Sequence, residues 1–77
     1  MISPRQQRVF NFIRGYIESN GMAPTIDEIR RRFQYRAGST VHRIVSILVA
    51  EGMIRRTPLI ARGLEIVSET SEARRAA

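Results

Sequence analysis

One predicted helix presents small polar side chains of the kind that form hydrogen bonds with the edges of DNA bases. The helix begins near Ser39 and covers residues 39–50. On a helical wheel its outward face, with two flanking residues near the N-terminal end, consists of Ser39, Thr40, His42, Arg43, Ser46 and Ala50. No acidic residue follows Ser39 until Glu51, so this face could enter the roughly 12 Å wide major groove without charge repulsion. The alternative is a solvent-exposed face that happens to be small and neutral.

The opposite face of this helix is apolar, and a second helix precedes it. Its buried positions are Val41, Ile44, Val45 and Leu48. The preceding helix starts at Thr25, where Thr25 and Glu28 form a predicted capping box, and it turns Ile26, Ile29 and Phe33 inward. Residues 34–38 connect the two helices. This spacing is typical of a helix-turn-helix. We expect Tyr35 to be buried beneath the connection with its hydroxyl outward.

The flanking segments predict a further helix and a hairpin. Ser3, Pro4 and Gln6 form a helix start, and Gly21 ends that helix. Residues 53–56 and 62–67 read as two strands, with residues 57–61 between them. Two strands are marginal alone, so the hairpin must pack on the helices. The predicted fold is therefore mainly α with a small β-hairpin: a three-helix winged helix-turn-helix over residues 1–67, followed by a flexible tail, 68–77.

The charge of the chain favours a nucleic-acid partner. All 13 basic residues are Arg, the net charge is +6, and Lys is absent. Arg binds phosphates and guanine edges with two parallel hydrogen bonds, although biased codon usage could give the same composition. The candidate phosphate ligands are Arg5, Arg30, Arg31, Arg36, Arg55, Arg56 and Arg62. For the arginines of the second helix, the alternative is a solvated polar face.

The composition also argues against an enzyme or a cofactor-binding protein. The chain has no Cys and one His, which leaves no basis for a disulfide or a metal cluster, and the absence of Lys removes Schiff-base and Ser–Lys chemistry. We find no paired carboxylates or nucleophile–base pair, so no catalytic residue, metal ligand or cofactor is predicted. The sequence has no apolar run near 20 residues and no secretory signal at its start. We expect a cytoplasmic protein without a membrane partner.

Several short pieces together make the chain resemble the N-terminal DNA-binding domain of LexA, the bacterial SOS-response repressor. The similarity runs without gaps over residues 3–67. Its pieces, in order, are Arg5-Gln6-Gln7, Val9-Phe10, Ile13, Gly21-Met22, Pro24-Thr25, Glu28-Ile29, Tyr35-Arg36, Leu48, Gly52, Ile54 and Arg62-Gly63. No single piece is specific, but their order and spacing are.

The resemblance implies a bacterial or phage transcriptional repressor or regulator whose helix from Ser39 lies in the major groove. Family base-reading positions fall on Ser39, Thr40, His42 and Arg43. The family's Asn is replaced by Ser39 and its acidic pair by His42 and Arg43, so a different operator is expected. Arg43 could pair with a guanine, which is worth roughly 1–3 kcal/mol of discrimination. We also expect this chain to lack the family's C-terminal peptidase domain and therefore self-cleavage.

Two kinds of partner follow from the sequence. The first is double-stranded DNA, bound by two copies on a palindrome, with a possible homodimer contact through Ile47, Val49, Leu59 and Ile60. The alternative is a winged-helix protein-interaction module that docks on a polymerase or a DNA-bound protein through the apolar wing tip. Steep weakening with salt would indicate DNA binding through phosphates.

Overall fold

The computed structural model describes residues 2–57 and 62–67 as three helices followed by a two-stranded antiparallel sheet. The helices are α1 (Pro4–Asn20), α2 (Ile26–Phe33) and α3 (Gly38–Ala50), and the strands are β1 (Ile54–Arg56) and β2 (Leu64–Ile66). The predicted fold class is confirmed. Helix α3 starts one residue before Ser39, and both strands are shorter than predicted. Residues 58–61 of the predicted turn and the predicted tail lie outside the described residues.

Both predicted capping boxes are present. At α1, the Ser3 hydroxyl accepts from the Gln6 N–H at 3.2 Å, and the Gln6 side chain accepts from the Ser3 N–H at 2.8 Å. At α2, the Thr25 hydroxyl accepts from the Glu28 N–H at 3.1 Å, and Glu28 Oε1 accepts from the Thr25 N–H at 2.8 Å. These contacts satisfy backbone N–H groups that have no partner inside a helix, and so they fix both helix starts.

The core lies where the apolar stripes of the three helices meet. Among the described residues, its buried apolar side chains are Val9, Phe10, Ile13, Ala23, Ile29, Val41, Ile44, Val45, Leu48, Ile54 and Leu64. The four predicted inward positions of α3 are all in this set. On the edge of the core, Phe12 of α1 meets Phe33 of α2 edge-to-face, with ring centroids 5.7 Å apart. Helix α3 is therefore held by its apolar face, which leaves its other face available.

The hairpin continues directly from the C-terminal end of α3. The Met53 N–H donates to the Leu48 carbonyl at 3.0 Å, and Ile54 pairs with Ile66. Ile54 and Leu64 are buried, while Glu65 between them in the ladder is exposed. This is the one-sided burial that the alternating sequence predicts.

No helix within the described residues has the length and apolarity that a membrane span requires.

Candidate nucleic-acid interface

Helix α3 presents the predicted base-reading residues together on its outer surface. Ser39, His42 and Arg43 are exposed, and Thr40 is partly exposed. Farther along the same helix, Ser46 and Ala50 are exposed too. Since the other face of α3 is locked into the core, the outward direction of these side chains is set by the fold. The surface they form is narrow, polar and free of carboxylates.

The first turn of α3 starts without a side-chain cap from its own N-cap residue. Ala37 has extended backbone angles, φ −135° and ψ 147°, which is the geometry in which Ser or Asp caps a helix, but alanine offers no oxygen. In contrast, α1 and α2 begin with Ser3 and Thr25. Of the three helix starts, this one therefore has the fewest side-chain hydrogen bonds to its free backbone N–H groups. It adjoins Ser39 and Thr40.

Two arginines converge on Tyr35 in the connection between α2 and α3. Arg5 Nε donates to the Tyr35 hydroxyl at 3.0 Å, and Arg5 Cζ lies 4.7 Å from the centroid of the ring. Arg30 Nη1 donates to the Tyr35 carbonyl at 3.3 Å. The Tyr35 ring stacks on Phe33 at 5.9 Å, and the residue is partly buried, whereas the sequence predicts a buried one. Arg5 and Arg30, both candidate phosphate ligands, thus meet beside the connection.

The arginines of α2 are partly balanced by one carboxylate. Arg30 Nη2 lies 2.9 Å from Asp27 Oδ1, and Arg31 Nε lies 2.8 Å from Asp27 Oδ2. The Arg31 side chain remains 73% exposed, so this ion pair is weak and open to competition by a phosphate. Arg32 lies over the rings of Phe12 and Phe33, at 5.8 and 5.2 Å. Arg36, in the connection, is exposed.

The three candidate arginines of the hairpin fall into two groups. Arg55 and Arg56 in β1 are exposed. Arg62 instead binds other side chains: its Nη1 lies 2.7 Å from Glu28 Oε1 and its Nη2 lies 3.1 Å from Glu28 Oε2. Arg62 Nη1 also donates to the Ala23 carbonyl at 2.9 Å and to the Tyr16 hydroxyl at 3.4 Å. The sequence does not predict this cluster, because Arg62 lies 34 to 46 residues from its partners.

The ion pair between Arg62 and Glu28 shifts the ionisation of both groups. Hydrogen bonds from the Arg62 guanidinium, and next from the Thr25 backbone N–H, lower the pKa of Glu28 to about 2. The hydrogen bond to Glu28 raises the pKa of Arg62. Both side chains are therefore charged throughout the neutral range. The guanidinium of Arg62 is consequently neutralised within the protein, which distinguishes it from Arg55 and Arg56.

The predicted dimer contacts are only partly within the described residues. Val49 is exposed over 39% of its surface, which is large for an apolar side chain, and Ile47 is partly buried. Leu59 and Ile60 lie outside the described residues. Among the residues that the structure describes, no group of three or more His, Cys, Asp or Glu side chains could hold a metal ion.

The chain is similar in sequence to the DNA-binding domains of known repressors. The family model for the LexA DNA binding domain matches residues 1–63. The chain is 39% identical over 71 residues to the LexA repressor of Magnetococcus marinus, covering 92% of this chain and 30% of that protein. It is 38% identical over 72 residues to the LexA repressor of Listeria monocytogenes, covering 94% of this chain and 35% of the relative. The chain thus spans about a third of the length of these curated relatives.

Proposed function

The chain belongs to the family of LexA DNA-binding domains, as its resemblance predicts, and on that premise we propose that it binds double-stranded DNA as a sequence-specific transcriptional repressor. In this proposal α3 lies in the major groove. Acting on a bacterial chromosome, the protein would work in the cytoplasm, at the nucleoid. The members of this family are DNA-binding domains, and this agrees with the expectation that the chain is not an enzyme.

The observation that carries the proposal is the outward face of α3. A recognition helix needs exposed polar groups at its N-terminal end and a buried apolar face that fixes its orientation. Helix α3 has both, with Ser39, His42 and Arg43 exposed opposite a fully buried stripe. We assign base reading to these three residues and to Thr40. Arg43 is the strongest candidate for a specific contact, because its guanidinium can donate two hydrogen bonds to guanine.

Phosphate contacts would position the protein on the duplex. We assign these contacts to exposed or partly exposed arginines around α3, which are Arg5, Arg30, Arg31, Arg36, Arg55 and Arg56. Arg30 and Arg31 share Asp27, so part of their charge is already balanced. We leave Arg62 out of this set, because Glu28 neutralises it and the Ala23 carbonyl takes a further hydrogen bond.

A single module of this size buries little DNA-contacting surface, so two copies on a palindromic site would bind more tightly. We propose that Val49 and Ile47 contribute to a contact between the two copies. Val49 supports this idea, since it is an exposed apolar residue near the C-terminal end of α3, at the end opposite the base-reading residues. Sedimentation with and without a selected duplex would show whether two copies assemble only on DNA.

The experiment that tests the function is selection of duplexes from a random pool, followed by titration of the selected duplex over a series of salt concentrations. We expect one enriched sequence, and a binding constant that falls steeply with salt because bound arginines release counterions. Failure to enrich any sequence would refute sequence-specific binding. Weak or absent salt dependence would favour the alternative, a protein-interaction module.

A further inference from the structure

Besides packing Ile54 and Leu64 into the core, the hairpin is attached by polar contacts at two separate points. Near α3, the Met53 N–H donates to the Leu48 carbonyl and the Val67 N–H donates to the Met53 carbonyl, each at 3.0 Å. At the far end of the ladder, beyond the pair of Arg56 and Leu64, Arg62 reaches the helices. Core packing and backbone hydrogen bonds hold the hairpin where it leaves α3, and the contacts of Arg62 restrain its far end as well.

The second attachment has the geometry of a strong ion pair. The Nη1 and Nη2 atoms of Arg62 meet the two carboxylate oxygens of Glu28 at 2.7 and 3.1 Å, and Nη1 also reaches the Ala23 carbonyl at 2.9 Å. Two parallel hydrogen bonds restrict orientation as well as distance. The side chains are only about one-third exposed, at 36% for Arg62 and 35% for Glu28, so water competes less than at a fully exposed pair.

Glu28 is itself immobilised by the start of α2. Its N–H donates to the Thr25 hydroxyl, its Oε1 accepts from the Thr25 N–H, and its Oε2 accepts from the Tyr16 hydroxyl at 3.4 Å. Helix α2 precedes α3 in the helix-turn-helix. Through Glu28, the position of Arg62 is therefore fixed relative to these two helices.

We propose that Arg62 is a positioning residue for DNA binding: its ion pair with Glu28 holds the hairpin so that Arg55 and Arg56 reach the phosphates beside α3. The inference rests on the proposed function. Arg62 does not touch DNA in this arrangement, and it acts through the two exposed arginines of β1. Glu28, an acidic residue in a protein that binds a polyanion, therefore strengthens binding.

The test compares variants of the full chain on the duplex that the wild type selects, with affinity measured over a series of salt concentrations. The variants are Arg62→Gln, Glu28→Gln, the double variant and Arg62→Lys, with Arg56→Gln as the matched loss of a charge that contacts phosphate. Gln at position 28 can still complete the capping box, so Glu28→Gln removes the ion pair without removing the helix start. Circular dichroism checks that each variant is folded at the temperature used.

We expect Arg62→Gln and Glu28→Gln each to weaken binding by about 2- to 10-fold, and the double variant to be no weaker than the single ones, because all three lose the same contact. The salt dependence should stay that of the wild type, because the bound hairpin still makes the same phosphate contacts and the variants lose affinity only through the cost of positioning it. Arg56→Gln should instead lower the slope by about 1, since it removes a phosphate contact. Arg62→Lys should be intermediate, since Lys keeps the charge without the paired hydrogen bonds. If Arg62→Gln does not fold, the affinity of Arg62→Lys relative to the wild type tests the proposal in its place.

Two results would overturn the inference alone, with wild-type DNA binding intact. In the first, Arg62→Gln lowers the salt slope by about 1 while Glu28→Gln leaves the affinity unchanged or improves it, which identifies Arg62 as a phosphate ligand. In the second, the affinities of the Arg62 and Glu28 variants equal that of the wild type. A wild type that selects no duplex would instead refute the proposed function itself, and the inference with it.

Discussion

Arg5, in the first turn of α1, holds Tyr35 of the helix-turn-helix connection by two contacts across 30 residues of sequence, a hydrogen bond of 3.0 Å to the hydroxyl and a guanidinium 4.7 Å from the ring centroid. The contact ties the N-terminal helix to the connection that precedes α3. Because the hydrogen bond is exposed, its contribution to folding is small, while the ring itself packs on Phe33 at 5.9 Å.

Replacing Tyr35 separates these two contributions. Tyr35→Phe keeps the ring and removes the acceptor for Arg5. We expect the free energy of unfolding to fall by about 0.5 kcal/mol, the low end of the range for a hydrogen bond. Tyr35→Ala also removes the stacking and the partly buried ring, and should cost about 2 kcal/mol. Urea denaturation followed by circular dichroism measures both. Equal losses in the two variants would mean that the hydroxyl, rather than the ring, holds the connection.

Arg43→Ala should relax base preference at one position of the operator. The expected loss of discrimination there is roughly 1–3 kcal/mol, because the paired hydrogen bonds from a guanidinium to guanine are lost. Repeating the selection from a random pool with the variant measures the change. Ser46→Ala, one turn farther along the same exposed face, is the matched control and should leave the enriched sequence intact. An unchanged preference in Arg43→Ala would remove Arg43 from the base-reading set.

Substitutions at Ala37 should separate stability from DNA binding. Ala37→Ser and Ala37→Asp each supply a cap to α3, whose N-cap residue already has extended backbone angles, and each should stabilise the fold by about 1 kcal/mol. The two variants should differ in their affinity for DNA. Ala37→Ser should bind at least as well as the wild type, whereas the carboxylate of Ala37→Asp should repel nearby phosphates and weaken binding. Equal affinities for the two variants would place the start of α3 away from the DNA backbone.

Gly15→Ala should stabilise the protein by about 1 kcal/mol, because glycine inside a helix is unfavourable compared with alanine. Apart from the adjacent residues and backbone of α1 itself, a Cβ at this position would meet no atom of the described residues within 4 Å. For a domain of this size, the gain corresponds to a rise in melting temperature of roughly 4–8 °C. Gly21→Ala is the control and should destabilise, because Gly21 has a φ of 72°. A lower melting temperature for Gly15→Ala would show that α1 needs a glycine there.

The stability of the fold should fall in acid partly through Glu28. Its pKa in the folded protein is lowered to about 2, chiefly by the hydrogen bond from Arg62, so the unfolded chain takes up this proton first as the pH falls. The contribution is complete above the usual pKa of a glutamate and is lost as the pH drops toward 2. Urea midpoints measured from pH 6 to 2 should fall less steeply in Glu28→Gln and in Arg62→Gln. A wild-type slope in both would contradict the ion pair.

Interactions between near neighbours in sequence are predictable from the sequence. The capping box of Thr25 and Glu28 spans three residues, and the buried stripe of α3 repeats every three or four. Both depend only on helix geometry, which makes the helix starts and the exposed face of α3 predictable. The one-sided hairpin followed from the alternation of Leu64, Glu65 and Ile66 in the same way.

The sequence by itself determined the helices, the hairpin and which face of α3 is free. Only the tertiary structure decided the use of each arginine, because a flexible cation of one type fits a phosphate, an aromatic ring or a carboxylate equally well. Arg62 was predicted from its type and its place on the hairpin to contact phosphate, yet the fold brings it to Glu28, 34 residues away. Arg5 meets Tyr35 for the same reason, since contacts this distant in sequence exist only once the elements have packed.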